Sequence, residues 1–176
     1  MPGAQERVLR RRIASVQNTK KITRAMELIA ATRVVKAQLR ANEARPYSER
    51  ITQVIQDLAA AGADVDHPLL RPVDEVRKVG LIVLAGDRGL AGAYNTNVIR
   101  AAERELAAIR SEGREFALVT VGRKSEAHFR FRNYPIDAAY SGFTDRPSYE
   151  EAVAIAARVT DLFVNQGCDR IDLVYT

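Results

Sequence analysis

The chain contains few of the residues that usually build metal centres and nucleophilic active sites. Its 176 residues include one cysteine and two histidines. Because Cys168 has no second cysteine to pair with, an intramolecular disulfide is excluded and a reducing compartment is favoured. Neither His67 nor His128 has a second histidine or cysteine at ligand spacing, so both are interpreted as solvated side chains. Since a Gly-x-Ser-x-Gly motif is also missing, we expect no catalytic residue, metal or cofactor.

Long apolar runs are missing as well. The sequence has no stretch of about 18 consecutive apolar residues, so it predicts no membrane-spanning helix. The N-terminal charges are not followed by an apolar segment of about seven or more residues, which would be typical of a secretory signal. We therefore expect a chain without a direct membrane span or such a signal, while attachment to a membrane through partners stays open.

The first 58 residues have the pattern of one long helix. From Ala4 to Leu58 such a helix would be about 80 Å long at about 1.5 Å per residue. Pro46 removes one backbone hydrogen bond, so a kink or a short break is expected there. Apolar residues at helical spacing form a stripe that needs a partner helix, either from a missing part of the chain or from another protein. This apolar stripe comprises Leu9, Ile13, Val16, Ile22, Met26, Ile29, Leu39, Ile51, Ile55 and Leu58.

Positive charge is concentrated in the same segment. Through Arg50 the chain has 12 Lys/Arg and 4 Asp/Glu, a balance of +8, whereas the remaining residues have 15 and 18, a balance of −3. A nucleic-acid-binding helix would use such cations to contact phosphates. No aromatic residue precedes Tyr47, so base stacking has no platform, and an acidic protein surface is the favoured partner. The cations considered are Lys20, Lys21, Arg24, Arg33, Lys36 and Arg40.

A linker and an alternating strand and helix pattern follow the long helix. The segment 60–75 is rich in glycine, aspartate and proline, which is typical of a linker. The sequence therefore predicts a shaft helix at 1–59, a linker at 60–75 and a domain at 76–176. Short apolar runs alternate with amphipathic segments in that domain, so we predict a Rossmann-like α/β fold with a mostly parallel sheet. The predicted strands are 79–84, 116–121, 136–140 and 171–175. The predicted helices are one capped by Asn95 and ending near Gly113, one at 123–131, and one with a capping box of Ser148 and Glu151 that ends at Gly167.

The loop between the first predicted strand and helix, 85–95, occupies the position where nucleotide-binding folds hold phosphate. Its sequence, AGDRGLAGAYN, differs from GxGxxG in glycine spacing and lacks the Gly-Lys-Ser/Thr of a P-loop. The preferred interpretation is a tight turn in which Asp87 and Arg88 satisfy backbone groups, or pair with each other or with a partner. A nucleotide-binding α/β enzyme stays open as an alternative function, beside a basic nucleic-acid-binding helix.

Four segments closely resemble the gamma subunit of the rotary F-type ATP synthase. They are RRRIASVQNTKKITRAMELIAATRVVKAQ (10–38), ARPYSE (44–49), HPLL (67–70) and DRGLAGAYN (87–95). They occur in the family's order and spacing, and the resemblance covers essentially the whole chain. Two departures accompany it: the family's C-terminal helix is absent from these residues, and Ala91 replaces the cysteine of the common DRGLCG version of the loop.

The resemblance implies a non-catalytic central-stalk rotor subunit. In the family the N-terminal helix pairs antiparallel with a C-terminal helix, and this coiled-coil shaft turns inside a ring of alternating alpha and beta subunits. The α/β domain would stand on the membrane ring of c subunits beside the epsilon subunit, as a peripheral protein on the cytoplasmic face of a bacterial plasma membrane. The partner-contact residues that the resemblance suggests are Lys20, Lys21, Arg24, Met26, Glu27, Arg33, Asp87 and Arg88.

Overall fold

A computed structural model describes residues 3–60, 69 and 73–176. The chain divides into two compact units, Met1–Val65 and Asp66–Thr176. Most of the predicted linker, including His67, lies outside the described residues. The predicted division into 1–59, 60–75 and 76–176 therefore stays a prediction, and the two units are described separately.

Within residues 3–60, the described part of the first unit, there is one helix, α1, which spans Ala4–Ala60. This confirms the predicted long helix. All ten residues of the apolar stripe are exposed, from 44% at Ile51 to 68% at Val16. The helix continues through Pro46, so the prediction of a short break is wrong. The alternative prediction of a kink is not tested and stays a prediction. One proline removes a single backbone N–H donor from the hydrogen bonds of a long helix, and the neighbouring turns keep theirs.

The second unit contains a four-stranded, entirely parallel sheet in the order β3-β2-β1-β4. β1 is therefore central, between β2 and β4. β3 is shorter than predicted, since it begins after Asp137, and β4 has the predicted length but begins and ends one residue earlier. The strands span Lys78–Leu84 (β1), Glu115–Val121 (β2), Ala138–Tyr140 (β3) and Arg170–Val174 (β4).

Helices cover both faces of this sheet. They span Tyr94–Ser111 (α2), Arg123–Phe131 (α3) and Tyr149–Val164 (α4). Because side chains alternate along a strand, Leu81 and Val83 pack with α2 and α3, whereas Ile82 packs on the other face with Leu162 of α4. The continuous apolar runs of β1 and β2 follow from burial on both faces, as is usual for parallel strands.

The helix starts were predicted with mixed success. The capping box of α4 is confirmed, since the backbone N–H of Ser148 donates to the Glu151 carboxylate at 2.8 Å. The predicted cap of α2 is wrong because Ala93 occupies the N-cap and Asn95 lies inside the first turn. The Asn95 side chain instead turns back to the preceding loop, where it makes two hydrogen bonds with backbone groups.

Candidate functional site

The loops that follow β1, β2 and β3 meet at one edge of the sheet, because the carboxyl ends of parallel strands lie side by side. Backbone hydrogen bonds join these loops directly. The carbonyl of Val121 accepts from the N–H of Ala85 at 2.9 Å, and the carbonyl of Gly86 accepts from Lys124 at 3.1 Å. This edge carries the predicted site residues Asp87 and Arg88.

Asp87 joins all three loops through its carboxylate. Its Oδ1 accepts from the backbone N–H groups of Arg123 and Gly142, each at 3.0 Å. Its Oδ2 accepts from the backbone N–H and the hydroxyl of Thr144 at 3.0 and 2.8 Å. The interpretation in which Asp87 satisfies backbone groups is therefore confirmed, and the side chain acts as an internal clamp.

These hydrogen bonds keep the Asp87 carboxylate ionised. Partial burial disfavours the charged form, but the backbone bonds from Gly142, Arg123 and Thr144 favour it more strongly. Together they lower the pKa of Asp87 from 3.8 to about 2. The loop therefore carries a fixed negative charge at every physiological pH.

The backbone donors at the start of the same loop are already occupied. The N–H of Gly86 donates to Asn95 Oδ1 at 2.8 Å, and the N–H of Asp87 donates to Thr144 Oγ1 at 2.9 Å. Phosphate sites at the start of a helix depend on free N–H groups and a positive field. The occupied donors and the ionised Asp87 both disfavour a nucleotide here, in agreement with the glycine spacing.

The tip of the loop is more exposed than Asp87. Arg88 pairs with Asp145 at 2.8 Å, although its side chain remains 74% exposed. Leu90 is 94% exposed and has a positive φ of 59°. Arg88 thus pairs with Asp145, a contact that was not predicted, while its contact with a partner subunit stays a prediction.

The other predicted contact residues lie on α1, in the first unit. Lys20 and Lys21 are exposed and form no ion pair with a described residue. Arg24 pairs with Glu27 at 2.7 Å, and both side chains stay largely exposed. One helical face carries Lys20, Arg24 and Glu27, whereas Met26, which is 45% exposed, aligns with the half-buried Arg33 seven residues later.

Two interactions were missed in the sequence. His128 was expected to be solvated, but its Nε2 lies 2.9 Å from Glu103 and the two side chains are less than one-third exposed. Arg158 bridges Asp137 and Asp161 at 2.7 and 2.6 Å. His128 and Glu103 lie on different helices and Asp137 lies outside α4, so local sequence patterns contain no signal for these two contacts. Arg158 and Asp161 are three residues apart on α4, a spacing at which opposite charges on a helix can meet.

The described residues contain no group of three or more His, Cys, Asp or Glu side chains that could hold a metal ion. Cys168 is buried, as expected for a small residue near a strand start, and burial raises the pKa of its thiol. Within the described ranges, no helix is long and apolar enough to cross a membrane.

Comparison with known proteins extends these observations. A family model described as ATP synthase matches residues 5–176. The chain is 50% identical over 170 residues to the ATP synthase gamma chain of Trichormus variabilis, covering 96% of this chain and 54% of that one. It is 46% identical over 178 residues to the ATP synthase gamma chain of Kineococcus radiotolerans, covering 99% of this chain and 59% of that one. It thus spans a little over half the length of these relatives.

A solved structure has a similar fold. It is a chain in the cryo-EM structure of the central stalk and c-ring of the Tetrahymena thermophila mitochondrial ATP synthase, with a TM-score of 0.68 and 21% identity over 88% of this chain and 64% of that one. The long helix and the parallel α/β domain are therefore a known combination. Given this fold and the family match over residues 5–176, the chain belongs to the family of ATP synthase gamma chains.

Proposed function

We propose that this chain is part of a central-stalk rotor, which transmits torque between the membrane c-ring and the catalytic alpha and beta subunits of a proton-translocating F-type ATP synthase. The observation that carries the proposal is α1, a 57-residue helix whose apolar stripe and cations are both on the surface. Such a helix has the length of a shaft and the surface of an element that is covered in a complex.

The apolar stripe accounts for the stability of the shaft. Burying one aliphatic side chain contributes about 1.5–3 kcal/mol, so covering ten of them is a large driving force compared with the usual 5–15 kcal/mol of a whole domain. A second long helix, packed antiparallel against α1, is the partner that fits this stripe. The pair would form a stiff coiled-coil shaft.

The cations of α1 account for its contact with the stator. Lys20, Lys21, Arg24 and Arg33, with Met26 and Glu27 among them, would pass acidic loops of the beta subunits as the shaft turns. Exposed ion pairs are worth only about 0–1 kcal/mol each. Weak contacts suit an interface that must break and form again during each rotation, while complementary charge guides the approach.

The α/β unit would form the foot of the rotor. It would stand on the c-ring beside the epsilon subunit, on the cytoplasmic face of a bacterial plasma membrane. Arg88 would supply a partner contact there, with Asp87 holding its loop in place. The chain makes and breaks no bonds in this mechanism, because the alpha and beta subunits bind the nucleotides.

A rotation measurement tests this proposal directly. The alpha and beta subunits of the assembled complex are fixed to a surface, and a gold particle is attached through Ala107→Cys on the exposed side of α2. The native Cys168 is only 2% exposed, so the particle attaches at position 107. On addition of ATP we expect the particle to turn in one direction. Complexes that hydrolyse ATP while the particle stays still would overturn the proposal.

Charge reversal at the unpaired lysines should uncouple the complex. In Lys20→Glu, Lys21→Glu double variants, attraction to acidic loops becomes repulsion, a change of about 1–2 kcal/mol that is screened by salt. We expect ATP hydrolysis to continue while the protons pumped per ATP fall several-fold in low salt. Parallel assays of hydrolysis and pumping measure this ratio.

Arg24→Gln is the matched control, because Glu27 already neutralises Arg24. It should reduce the ratio less than the double reversal does. An unchanged ratio in the double variant, or an equal loss in Arg24→Gln, would show that the unpaired lysines do not guide the shaft.

A further inference from the structure

Leu90 protrudes from the tip of the 85–95 loop. Its side chain is 94% exposed, the highest value among the large apolar side chains of the described residues. Its backbone has a φ of 59°, a left-handed conformation that is costly for a residue with a Cβ and free for glycine. The other non-glycine residue with a positive φ in the described ranges is Asn133, a type that adopts it more readily. The Leu90 side chain thus adds nothing to the stability of the free chain, while its backbone lowers it.

Hydrogen bonds on both sides hold this tip in place. Before Leu90, the Asp87 carboxylate bonds to the loops that follow β2 and β3. After it, the Asn95 side chain accepts from the N–H of Gly86 at 2.8 Å and donates to the carbonyl of Arg88 at 3.0 Å. A side chain on a loop that is already fixed loses little conformational freedom on binding. The tip is therefore suited to be an anchor for a partner.

The edge of the sheet beside this tip carries unpaired cations. Lys124 Nζ lies 3.9 Å from the position that a Cβ at Gly89 would occupy, so this ammonium is next to the residue before Leu90. Lys124 begins α3 together with Arg123, and Arg146 lies in the loop that follows β3. All three cations are exposed and form no ion pair with a described residue.

Most acids of the same edge are already used within the chain. Asp87 accepts the backbone bonds described above, and Asp145 pairs with Arg88. In the first turns of the helices that follow, Glu126 pairs with Arg130 and Glu151 is part of the capping box. Glu150 is the one acid there without an ion pair to a described residue. Cations therefore outnumber acids among the unpaired charges of this edge.

We propose that Leu90 anchors this edge to another subunit by entering an apolar pocket with carboxylates on its rim. The inference rests on the proposed rotor function and gives the chemistry of the contact assigned there to Arg88. Carboxylates fit because Arg123, Lys124 and Arg146 have no internal partner. An apolar pocket fits because the centre of an interface is typically a buried anchor residue inside a polar rim.

A separate subunit fits this surface better than a further segment of the same chain. Permanently joined surfaces are usually continuous and apolar, like a domain core that has been divided, and the stripe of α1 has this composition. The tip instead presents one apolar side chain among charges, as is usual between partners that fold separately. We therefore expect the chain to fold with Leu90 uncovered.

Leu90→Gly distinguishes an anchor from a structural residue. Glycine adopts the positive φ without strain, so the unfolding free energy of the purified chain should stay unchanged or rise. In the assembled complex, the same substitution removes the anchor. Benzoylphenylalanine placed at the neighbouring, exposed Ala91 reports the contact, because it forms photochemical crosslinks to adjacent peptides that mass spectrometry identifies.

We expect crosslinks from position 91 to a different subunit, at a peptide with aspartate or glutamate beside apolar residues. Their yield should fall about tenfold or more in Leu90→Gly. Lys124→Glu should also lower the yield, because it replaces attraction to the carboxylates with repulsion. Phe131→Ala is the matched control, since Phe131 is 84% exposed at the other end of α3 and should leave the yield unchanged.

Four results would each overturn the anchor. They are crosslinks only to this chain, to a second copy of it or to lipid; no crosslink at all; a yield that Leu90→Gly or Lys124→Glu leaves at the level of Phe131→Ala; and a fall in the unfolding free energy of Leu90→Gly. None of them would affect the rotation test, because the particle can turn whether or not Leu90 makes this contact.

Discussion

Gly122→Ala should destabilise the α/β unit more than any other single methyl addition considered in this chain. Gly122 lies between β2 and α3 with a φ of +92°, and a Cβ added there would sit 2.1 Å from the carbonyl oxygen of Ala85. That oxygen belongs to the backbone just after β1, so it cannot rotate away. We expect a loss of more than about 3 kcal/mol in the free energy of unfolding, measured by urea denaturation of the purified chain.

Gly142→Ala separates this collision from backbone strain. Gly142 has a nearly identical φ of +96°, but a Cβ there would meet only the end of the Arg123 side chain at 3.8 Å. The left-handed conformation alone costs a residue with a Cβ about 1–2 kcal/mol. Tyrosine fluorescence reports the unfolding, since five of the six tyrosines follow residue 90. Equal losses in the two variants would mean that the contact with Ala85 adds nothing.

Asp87→Ala should be the most damaging substitution of a charged residue in the same unit. It removes the acceptor for the backbone N–H groups of Arg123, Gly142 and Thr144, which join three loops. Hydrogen bonds to a charged group contribute about 1.5–3 kcal/mol, and donors left without an acceptor add to the cost. We expect a loss of about 2–4 kcal/mol at pH 7 by urea denaturation.

The effect of Asp87 should also depend on pH. Its pKa is lowered from 3.8 to about 2 in the folded chain, so the unfolded chain binds a proton first as the pH falls. The stabilisation from Asp87 is therefore complete above about pH 4 and disappears as the pH falls through 2. Unfolding free energies of the wild type and Asp87→Ala should converge over this range.

Thr144→Val provides a graded comparison for Asp87. It removes the hydroxyl that donates to the carboxylate at 2.8 Å and accepts from the Asp87 N–H at 2.9 Å, but it leaves the three backbone donors to the carboxylate. We expect it to lose about 1 kcal/mol, which is clearly less than Asp87→Ala. A loss below about 0.5 kcal/mol in Asp87→Ala would contradict the clamp, because such values are usual for unconnected surface positions.

Elements with a local cause were predictable from the sequence. Helix α3 was expected at 123–131 and occupies Arg123–Phe131, and the Ser148 and Glu151 capping box was recognised from a spacing of three residues. Asn95 shows the limit of this reasoning. An asparagine before an amphipathic run can cap the helix or bond the loop behind it, and only the fold of the 85–95 loop selects the second.

Contacts between distant elements were not predictable. Asp87 was recognised as a group that satisfies the backbone, but its partners at 123, 142 and 144 come together only through the parallel order of the strands. The same holds for His128 and Glu103, which lie on different helices. Position along the sequence contains no information about such pairs until the topology is fixed.

The central place of β1 has a consequence for the order in which the chain folds. Val79 pairs with Phe116 on one side and with Arg170 on the other, 91 positions further along (170 − 79). During synthesis the second edge of β1 therefore stays unpaired until β4 has been made. Contacts between such distant positions also form slowly. An open, apolar strand edge is a site of aggregation. The second edge of β1 is consequently covered late, only when Arg170–Val174 has left the ribosome.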